Sequence, residues 1–216
     1  MIDRSARVIG AAAGLAFLGM LISAAPGTKA QQLHGHLAVP PHTFGPTVNN
    51  VAVDTQTGRV FAVSSPVKGP SSLRILDARS GHILRTIALG GQAGGIAVDA
   101  QSGRAFVVNN GDRTVSVLDA RSGAVLRTVP VGGGPTELAV DIRSSRVFVA
   151  NFDDHTVSVL DARNGAVLHT TTVGPHPSAV AVDEQTGRVF VTDPFYSGVI
   201  SVLDATNGRI LRMVRS

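Results

Sequence analysis

An aspartate followed four positions later by a glycine recurs along the whole chain. The pair stands in DTQTG, DARSG, DAQSG, a second DARSG, DARNG, DEQTG and DATNG, while the related segment DIRSS ends in serine. The recurring residues are Asp54, Gly58, Asp77, Gly81, Asp99, Gly103, Asp119, Gly123, Asp141, Asp161, Gly165, Asp183, Gly187, Asp204 and Gly208. A repeated carboxylate at constant spacing could bind calcium, which takes several oxygen ligands.

The residues between aspartate and glycine argue against calcium. Ala78 and Arg79, like their equivalents in the other segments, stand where a calcium loop needs oxygen ligands. The same spacing suits a tight turn, in which aspartate accepts backbone N–H bonds and glycine adopts the left-handed conformation that closes a hairpin. We therefore interpret the motif as a structural hairpin turn, strained only at Ser145.

A second group of polar and aromatic residues lies in segments that differ from one repeat to the next. These candidates for ligand binding are Asn110, Asp112, Arg113, Phe152, Asp153, Asp154, His155, His176, Asp193, Phe195 and Tyr196. Variable loops on a rigid scaffold are where binding sites are usually built. The sequence therefore predicts a binding surface in these loops.

Three of the loop candidates, Asp153, Asp154 and His155, could hold a divalent metal together with His176, because carboxylate and imidazole suit such ions. A polar turn, in which the aspartates accept backbone N–H bonds, is the favoured interpretation because no other unit repeats the set. Phe195 and Tyr196 could form a stacking surface or cover a neighbouring unit. We expect no resident metal or cofactor.

Catalytic motifs are absent from the sequence: there is no GxSxG, HExxH, phosphate loop or cysteine. Asn49, Asn50 and Glu137 are the polar groups expected to face the centre of the fold, and they could hold a metal. A metal-dependent hydrolase or lactonase is therefore the alternative function. A redox-associated protein is a further alternative, and it would need a partner chain because CxxCH is missing.

The elements that must position these residues form four repeats. Asp77, Asp119, Asp161 and Asp204 are 42, 42 and 43 residues apart, a period typical of propeller blades. The third unit reads as the strands ELAVD, RVFVANF, TVSVLD and AVLHTTTV, separated by short turns. Both alternating faces of RVFVANF are apolar, which favours burial between two stacked sheets.

The predicted fold is therefore all-β, a β-propeller of four-stranded antiparallel blades with four repeats visible. The blades are assigned to residues 48–90, 91–132, 133–174 and 175–216. The chain either forms an open arc of a larger propeller, with terminal faces that a homo-oligomer would cover, or closes as a four-bladed ring. In the first case residues 31–47 precede the blades and include a spare outer strand.

Two segments resemble the YVTN family of β-propeller repeats: RAFVVNNGDRTVSVLDARSGAVLRTVPVGGGP and RVFVTDPFYSGVISVLDATNGRILRMV. In that family a strand ending in Tyr-Val-Thr-Asn precedes VSVID, an Asp–Gly turn and a strand running into PVG. Phe106, Phe148 and Phe190 take the tyrosine position; Asn109 and Asn151 match the asparagine, whereas Ser64 and Asp193 depart from it. The resemblance spans residues 51–215 and implies a fold found in exported bacterial and surface-layer proteins, rather than an activity.

The first thirty residues have the features of a signal peptide. Arg4 and Arg7 precede an apolar stretch at residues 8–25, and small residues lead to an expected cleavage after Ala30. An uncleaved membrane anchor is the alternative, and it would be the only membrane contact. The protein is accordingly expected to be exported and periplasmic, secreted or on the cell surface.

Composition and charge narrow the range of partners. Aromatic residues make up 4% of the chain, and basic residues form no run, so nothing indicates a nucleic-acid partner. Arginines recur at the turns, namely Arg59, Arg104, Arg146, Arg188, Arg79, Arg121 and Arg163, and each is expected to pair with a turn aspartate. The favoured function is a non-enzymatic binding or scaffold module with a protein or cell-envelope partner.

Overall fold

The computed structural model describes residues 48–66, 69–193 and 198–215, which form sixteen strands in four antiparallel sheets. The first sheet comprises β1 (Val48–Asp54), β2 (Arg59–Ser64), β3 (Ser72–Asp77) and β4 (Ile83–Ala88). The second comprises β5 (Ala93–Asp99), β6 (Arg104–Asn109), β7 (Thr114–Asp119) and β8 (Val125–Pro130). The third comprises β9 (Pro135–Asp141), β10 (Arg146–Asn151), β11 (Thr156–Asp161) and β12 (Val167–Thr172). The fourth comprises β13 (Ala179–Asp183), β14 (Arg188–Thr192), β15 (Val199–Asp204) and β16 (Ile210–Arg215).

Each sheet is a meander in which every strand pairs with the next strand of the chain. The first and third connections are the Asp–Gly turns, so they lie at one end of every sheet. The second connection and the linker to the next sheet lie at the opposite end. The all-β prediction of four-stranded antiparallel blades is confirmed.

The core lies between consecutive sheets. In the second and third sheets, the two middle strands are buried on both faces, as in β10, because a neighbouring sheet covers each side. Phe61, Phe106 and Phe148 are fully buried and occupy equivalent positions in three sheets. Each phenylalanine packs in an apolar cluster shared with the following sheet.

The innermost strands β1, β5, β9 and β13 pack against one another in chain order, and within the described residues no comparable contact joins β1 with β13. The described part of the chain is therefore an open arc of four sheets. The outermost strands are largely exposed, because nothing described covers the outer rim.

Irregularities in pairing mark three of the inner strands near their starts. The register shifts between Val48 and Asn50 in β1, between Ala93 and Ile96 in β5, and opposite the start of β9. A bulge changes the direction of the side chains beside it. These bulges therefore affect which residues face the centre of the arc at the starts of β1, β5 and β9.

Several predictions fall on residues outside the described ranges. The signal peptide, the segment 31–47 with its spare strand, Phe195 and Tyr196 all lie there and stay predictions. Among the residues that the structure does describe, none belongs to a helix that could cross a membrane.

Candidate functional site

The two ends of the sheets differ in their construction. We call the end that carries the Asp–Gly turns the turn face. We call the other end, with the second connections and the linkers between sheets, the loop face. The loop face holds most of the candidate binding residues.

Each turn aspartate on the turn face accepts hydrogen bonds from its own turn. Asp99 Oδ1 accepts the N–H of Gln101 at 2.9 Å and that of Ser102 at 3.2 Å. Asp54 does the same with Gln56 and Thr57. The carboxylates of Asp54, Asp99 and Asp141 are buried within these turns, which leaves them poorly placed to bind a ligand.

The same bonds affect the acidity of four turn aspartates. Backbone and hydroxyl donors within each turn hold the pKa of Asp77, Asp119, Asp183 and Asp204 below its usual value. Hydrogen bonds to the charged form favour that form. These carboxylates consequently stay ionised, and their stabilising contribution is lost only as the pH falls below the ordinary range of aspartate.

The turn glycines fall into two groups with different surroundings. All have positive φ values, such as 65° at Gly103 and 72° at Gly123. A Cβ at Gly103 would meet nothing within 4 Å, whereas a Cβ at Gly123 would lie 2.7 Å from Ile87 Cδ1 in the preceding sheet. Gly165 and Gly208 are equally close to the preceding sheet. The glycines in the third connections of the second, third and fourth sheets thus allow close approach between sheets as well as the turn itself.

The turn-face arginines do not all pair with aspartates. Arg104 lies 3.6 Å from Asp119, and Arg146 lies 3.8 Å from Asp161, both within one sheet. Arg59 instead donates to the carbonyl oxygens of Ala120 and Arg121 in the next sheet. Backbone carbonyl oxygens compete with carboxylates for a guanidinium group. The spacing of arginines and aspartates in the sequence does not reveal this competition.

On the loop face, aspartates tie the second connections of the second and third sheets to the linkers that precede them. Asp112 Oδ2 accepts the N–H of Gly91 at 2.8 Å, and the equivalent Asp154 Oδ2 accepts the N–H of Gly133 at 2.7 Å. Backbone bonds run alongside, for example from Phe152 N–H to the Gly134 carbonyl oxygen at 2.9 Å. The second connection and the linker that precedes it are separate in sequence but are therefore held together by hydrogen bonds.

Non-glycine residues adopt left-handed backbone at equivalent positions of the loop face. Arg113 and His155 close the second connections of two sheets with φ of 52° and 56°. In the linkers, Gln92 and His176 have φ of 48° and 49°, at the position where Gly134 has 59°. Such residues are uncommon in this conformation and concentrate at functional sites. Gln92 was not among the predicted residues; aligning the linkers with one another would have found it.

Three of the candidates form one cluster, which we call the His–Phe cluster: Phe152, His155 and His176. The ring centroids of Phe152 and His176 are 4.7 Å apart, and those of His155 and His176 are 4.5 Å apart in an edge-on arrangement. The N–H of His176 donates to Nδ1 of His155 at 3.0 Å. All three side chains are partly exposed, and Asp153 and Asp154 beside them are exposed.

Two of the atoms that a metal site here would use as ligands already accept hydrogen bonds from the backbone. Asp154 Oδ2 is bonded to Gly133, and His155 Nδ1 accepts from His176. Within the described ranges, no group of three or more acidic or histidine side chains is close enough to hold a metal. The geometry presents an aromatic and acidic surface rather than a ligand cage.

The other loop candidates are dispersed. Asn110 donates from Nδ2 to the Pro135 carbonyl oxygen at 2.9 Å and so bridges to the next sheet. Arg113 and Asp112 are exposed on the second sheet, away from the His–Phe cluster on the third. Asp193 is buried at 3% exposure, so it contributes nothing to the accessible surface.

The asparagines at the ends of β6 and β10 have a structural role. Asn151 Nδ2 donates to Thr156 Oγ1 at 3.0 Å and to Ser158 Oγ at 2.9 Å. Asn109 makes the equivalent bonds with Thr114 and Ser116. These buried bonds join the second strand to the third beneath each loop. They hold the loop face on a fixed base.

A second candidate site lies at the centre of the arc, where Glu137 of β9 reaches Asn50 of β1. The side chain of Asn50 lies near the Glu137 carboxylate and lowers its pKa. Burial raises the pKa of Glu137 to about 7, and hydrogen bonds from the Leu138 N–H and from Asn50 only partly oppose that rise. Gly95 makes room for the contact, since a Cβ there would lie 2.7 Å from Oε2 of Glu137.

Several solved structures are similar to this one. Hydrazine synthase of Kuenenia stuttgartiensis matches with a TM-score of 0.69 and 17% identity, over 81% of this chain and 51% of that one. BamB from Moraxella catarrhalis matches with a TM-score of 0.58 and 20% identity, over 77% and 52%. A functionally unknown protein from Desulfotomaculum acetoxidans DSM 771 matches at 0.65 and 17%, over 78% and 55%. At these identities the likeness shows a shared propeller fold, and the chain spans about half of each neighbour.

Comparison of the sequence with known proteins gives a family but no individual relative. No curated protein matches the chain. The model of one protein family, described as outer membrane protein assembly factor BamB, matches residues 69–214, which is more than half of the chain. That match agrees with the expected repeat β-propeller, while the narrower YVTN assignment stays a prediction. This β-propeller chain belongs to the family of the outer membrane protein assembly factor BamB.

Proposed function

We propose that this protein is a non-enzymatic binding or scaffold module of the bacterial cell envelope, and that its loop face binds a protein partner. The observation that carries the proposal is the left-handed backbone of Arg113, His155 and His176 on loops tied down by Asp112 and Asp154. A surface held in its binding conformation loses little entropy on association.

The His–Phe cluster is the proposed centre of contact. Aromatic side chains contribute strongly to protein interfaces, and Phe152 is presented beside two imidazole rings. The exposed carboxylates of Asp153 and Asp154 border it and favour a partner with basic residues. The family supports an envelope setting, because its members are described as an outer membrane assembly factor.

Site-specific photo-crosslinking in exporting bacterial cells tests the proposal. A photoreactive residue at Asp153 should give a discrete crosslinked partner, whereas the same residue at Arg163, exposed on the turn face, should not. Phe152→Ala should weaken the crosslink at Asp153 without changing the thermal midpoint by more than a few degrees. Equal crosslinking at both faces would contradict a loop-face site.

The same bacterial cells can be used to test whether the protein is exported. We propose that the mature protein begins at Gln31, so amino-terminal sequencing of the exported form should read QQLHG. A form that retains residues 1–30 and sediments with membranes would instead support the uncleaved anchor.

A metal-dependent hydrolase is the second candidate because Asn50 and Glu137 meet at the centre of the arc. Carboxylate and amide oxygens suit a hard cation. Elemental analysis of the purified protein distinguishes the two proposals. Stoichiometric metal that is lost in Glu137→Gln would favour the hydrolase, and metal-free protein that still crosslinks through Asp153 would favour the binding module.

A further inference from the structure

The two end sheets of the arc each expose a face that every inner sheet buries. In β1, Val51 is 49% exposed, whereas the residues at its position in the other inner strands, Ile96, Leu138 and Val180, are each 5% exposed. Val53, one alternation further along, is 43% exposed, compared with 9% for Val182. The preceding sheet covers this position in three of the four sheets, and β1 has no described sheet before it.

The opposite face of the fourth sheet shows the complementary deficit. Phe190 is partly exposed, while Phe61, Phe106 and Phe148 at the same position are fully buried. On the outer strand β16, Val214 is 41% exposed, compared with 6% for its equivalent Val129. These side chains would contact a following sheet if one were present.

The chain itself shows that such faces fit together. Three times, the phenylalanine-bearing face of one sheet packs on the valine-bearing face of the next, in the apolar clusters that form the core. In the last of these clusters, Ala139 and Phe148 of the third sheet pack with Val180 and Val182 of the fourth. The exposed end faces carry the same residue types: Ala181 and Phe190 at one end, Val51 and Val53 at the other.

We propose that two copies of this chain close into one ring of eight sheets, with the first sheet of each copy packed on the fourth sheet of the other. The arc has the curvature for this, because it superposes on about half of larger propellers, covering 51% and 52% of two of them. Eight blades lie within the range that propellers adopt. The two interfaces are heterologous, yet two copies satisfy all four exposed faces and leave none for further growth.

Light scattering coupled to size-exclusion chromatography tests the ring on the purified protein. The expected mass is that of two chains over a wide range of concentration. Val53→Lys places a charge in both interfaces, and so does Ala181→Glu, so each variant alone should raise the dimer dissociation constant by roughly a hundredfold or more. Leu126→Lys, at a residue exposed on the rim of the second sheet, is the matched control and should stay dimeric.

Mixing the two variants separates a ring from other dimers. In a mixed dimer, the introduced lysine of one chain faces the introduced glutamate of the other across one interface, and the second interface is wild type. An equimolar mixture of Val53→Lys and Ala181→Glu should therefore recover the dimer mass. A dimer with two identical faces in contact would be broken by only one variant, and mixing would not restore it.

A covalent test covers the case in which a charged variant fails to fold. The chain has no cysteine, so Val53→Cys and Ala181→Cys introduce the only thiols. A short bismaleimide should crosslink a mixture of the two single variants into a dimer and leave each single variant alone uncrosslinked. A monomeric wild-type protein, or crosslinks within Val53→Cys alone, would overturn the ring. Loop-face crosslinking through Asp153 is independent of all these outcomes.

Discussion

Glu137 of the third sheet packs against Gly95 of the second sheet at the centre of the arc, where a Cβ on Gly95 would lie 2.7 Å from Glu137 Oε2, and the side chain of Asn50 in the first sheet interacts with the same carboxylate. Three sheets therefore meet at one ionisable side chain. Because the Glu137 carboxyl group can gain or lose a proton at this point, the stability of the arc depends on pH.

We expect the stability of the protein to fall as the pH rises from about 4.5 to about 7. In this window the folded state keeps a proton on Glu137, whose pKa burial raises to about 7, whereas the unfolded chain loses it near 4.5. The native state is thus favoured below the unfolded pKa, and that advantage is lost as the pH rises through the folded pKa. A shift of this size corresponds to about 3 kcal/mol at most.

Urea unfolding of Glu137→Gln at several pH values measures this effect. The variant should show a flatter dependence between pH 4.5 and 7 and should be more stable than the wild type at pH 8. Glu184→Gln, at the only other glutamate, is the control and should keep the wild-type slope. An unchanged slope in Glu137→Gln would show that this carboxyl group does not titrate in the window.

Alanine at two turn glycines should have unequal effects. Gly103→Ala strains a left-handed turn in open space and should cost about 1 kcal/mol. Gly123→Ala adds a Cβ 2.7 Å from Ile87 Cδ1 and 3.0 Å from Ile75 Cδ1, so these side-chain ends must shift and the change should cost roughly 0.5–1.5 kcal/mol more. Gly123→Val should be worse still. Denaturant midpoints measure the order, and equal losses would mean that the sheets do not approach closely there.

Glycine should improve the one strained turn on the turn face. Ser145 has φ of 52°, and Ser145→Gly should raise the free energy of unfolding by roughly 0.5–1 kcal/mol because glycine adopts this conformation without strain. Ser144→Gly is the adjacent control; Ser144 has no positive φ, so that change should be neutral or destabilising. A loss of stability in Ser145→Gly would contradict the turn assignment.

The buried hydrogen bonds of Asn151 should contribute more to the stability of the fold than a hydrogen bond in an exposed turn. Asn151→Ala leaves Ser158 and Thr156 without their donor and should cost about 1–3 kcal/mol. Asn164→Ala removes a bond in an exposed turn and should cost well under that. A double-mutant cycle of Asn151→Ala with Ser158→Ala should show coupling, and strict additivity would argue that the bond contributes little.

The chain's own periodicity was enough to predict the fold. Alternation and turn chemistry are local properties, so the strand–turn pattern of the third unit could be read from ELAVD, RVFVANF, TVSVLD and AVLHTTTV. β10 ends at Asn151, one residue before the predicted end, because Phe152 already belongs to the loop that bonds to the Gly133–Gly134 linker. Strand ends depend on such contacts with residues that are distant in sequence.

Residue spacing was sufficient to predict the repeat and the candidate residues that lie in each loop. Backbone sterics were sufficient to predict that the turn glycines adopt the left-handed conformation. The stacking of the sheets was needed to show that Gly123 also admits the preceding sheet and that Arg59 turns to carbonyl groups. It was needed as well to bring Glu137 to Asn50 and to gather Phe152, His155 and His176 into one cluster. The sequence had placed Asn50 with Glu137, and His155 with His176, only as candidate neighbours, because close packing between neighbouring sheets decides which side chains meet.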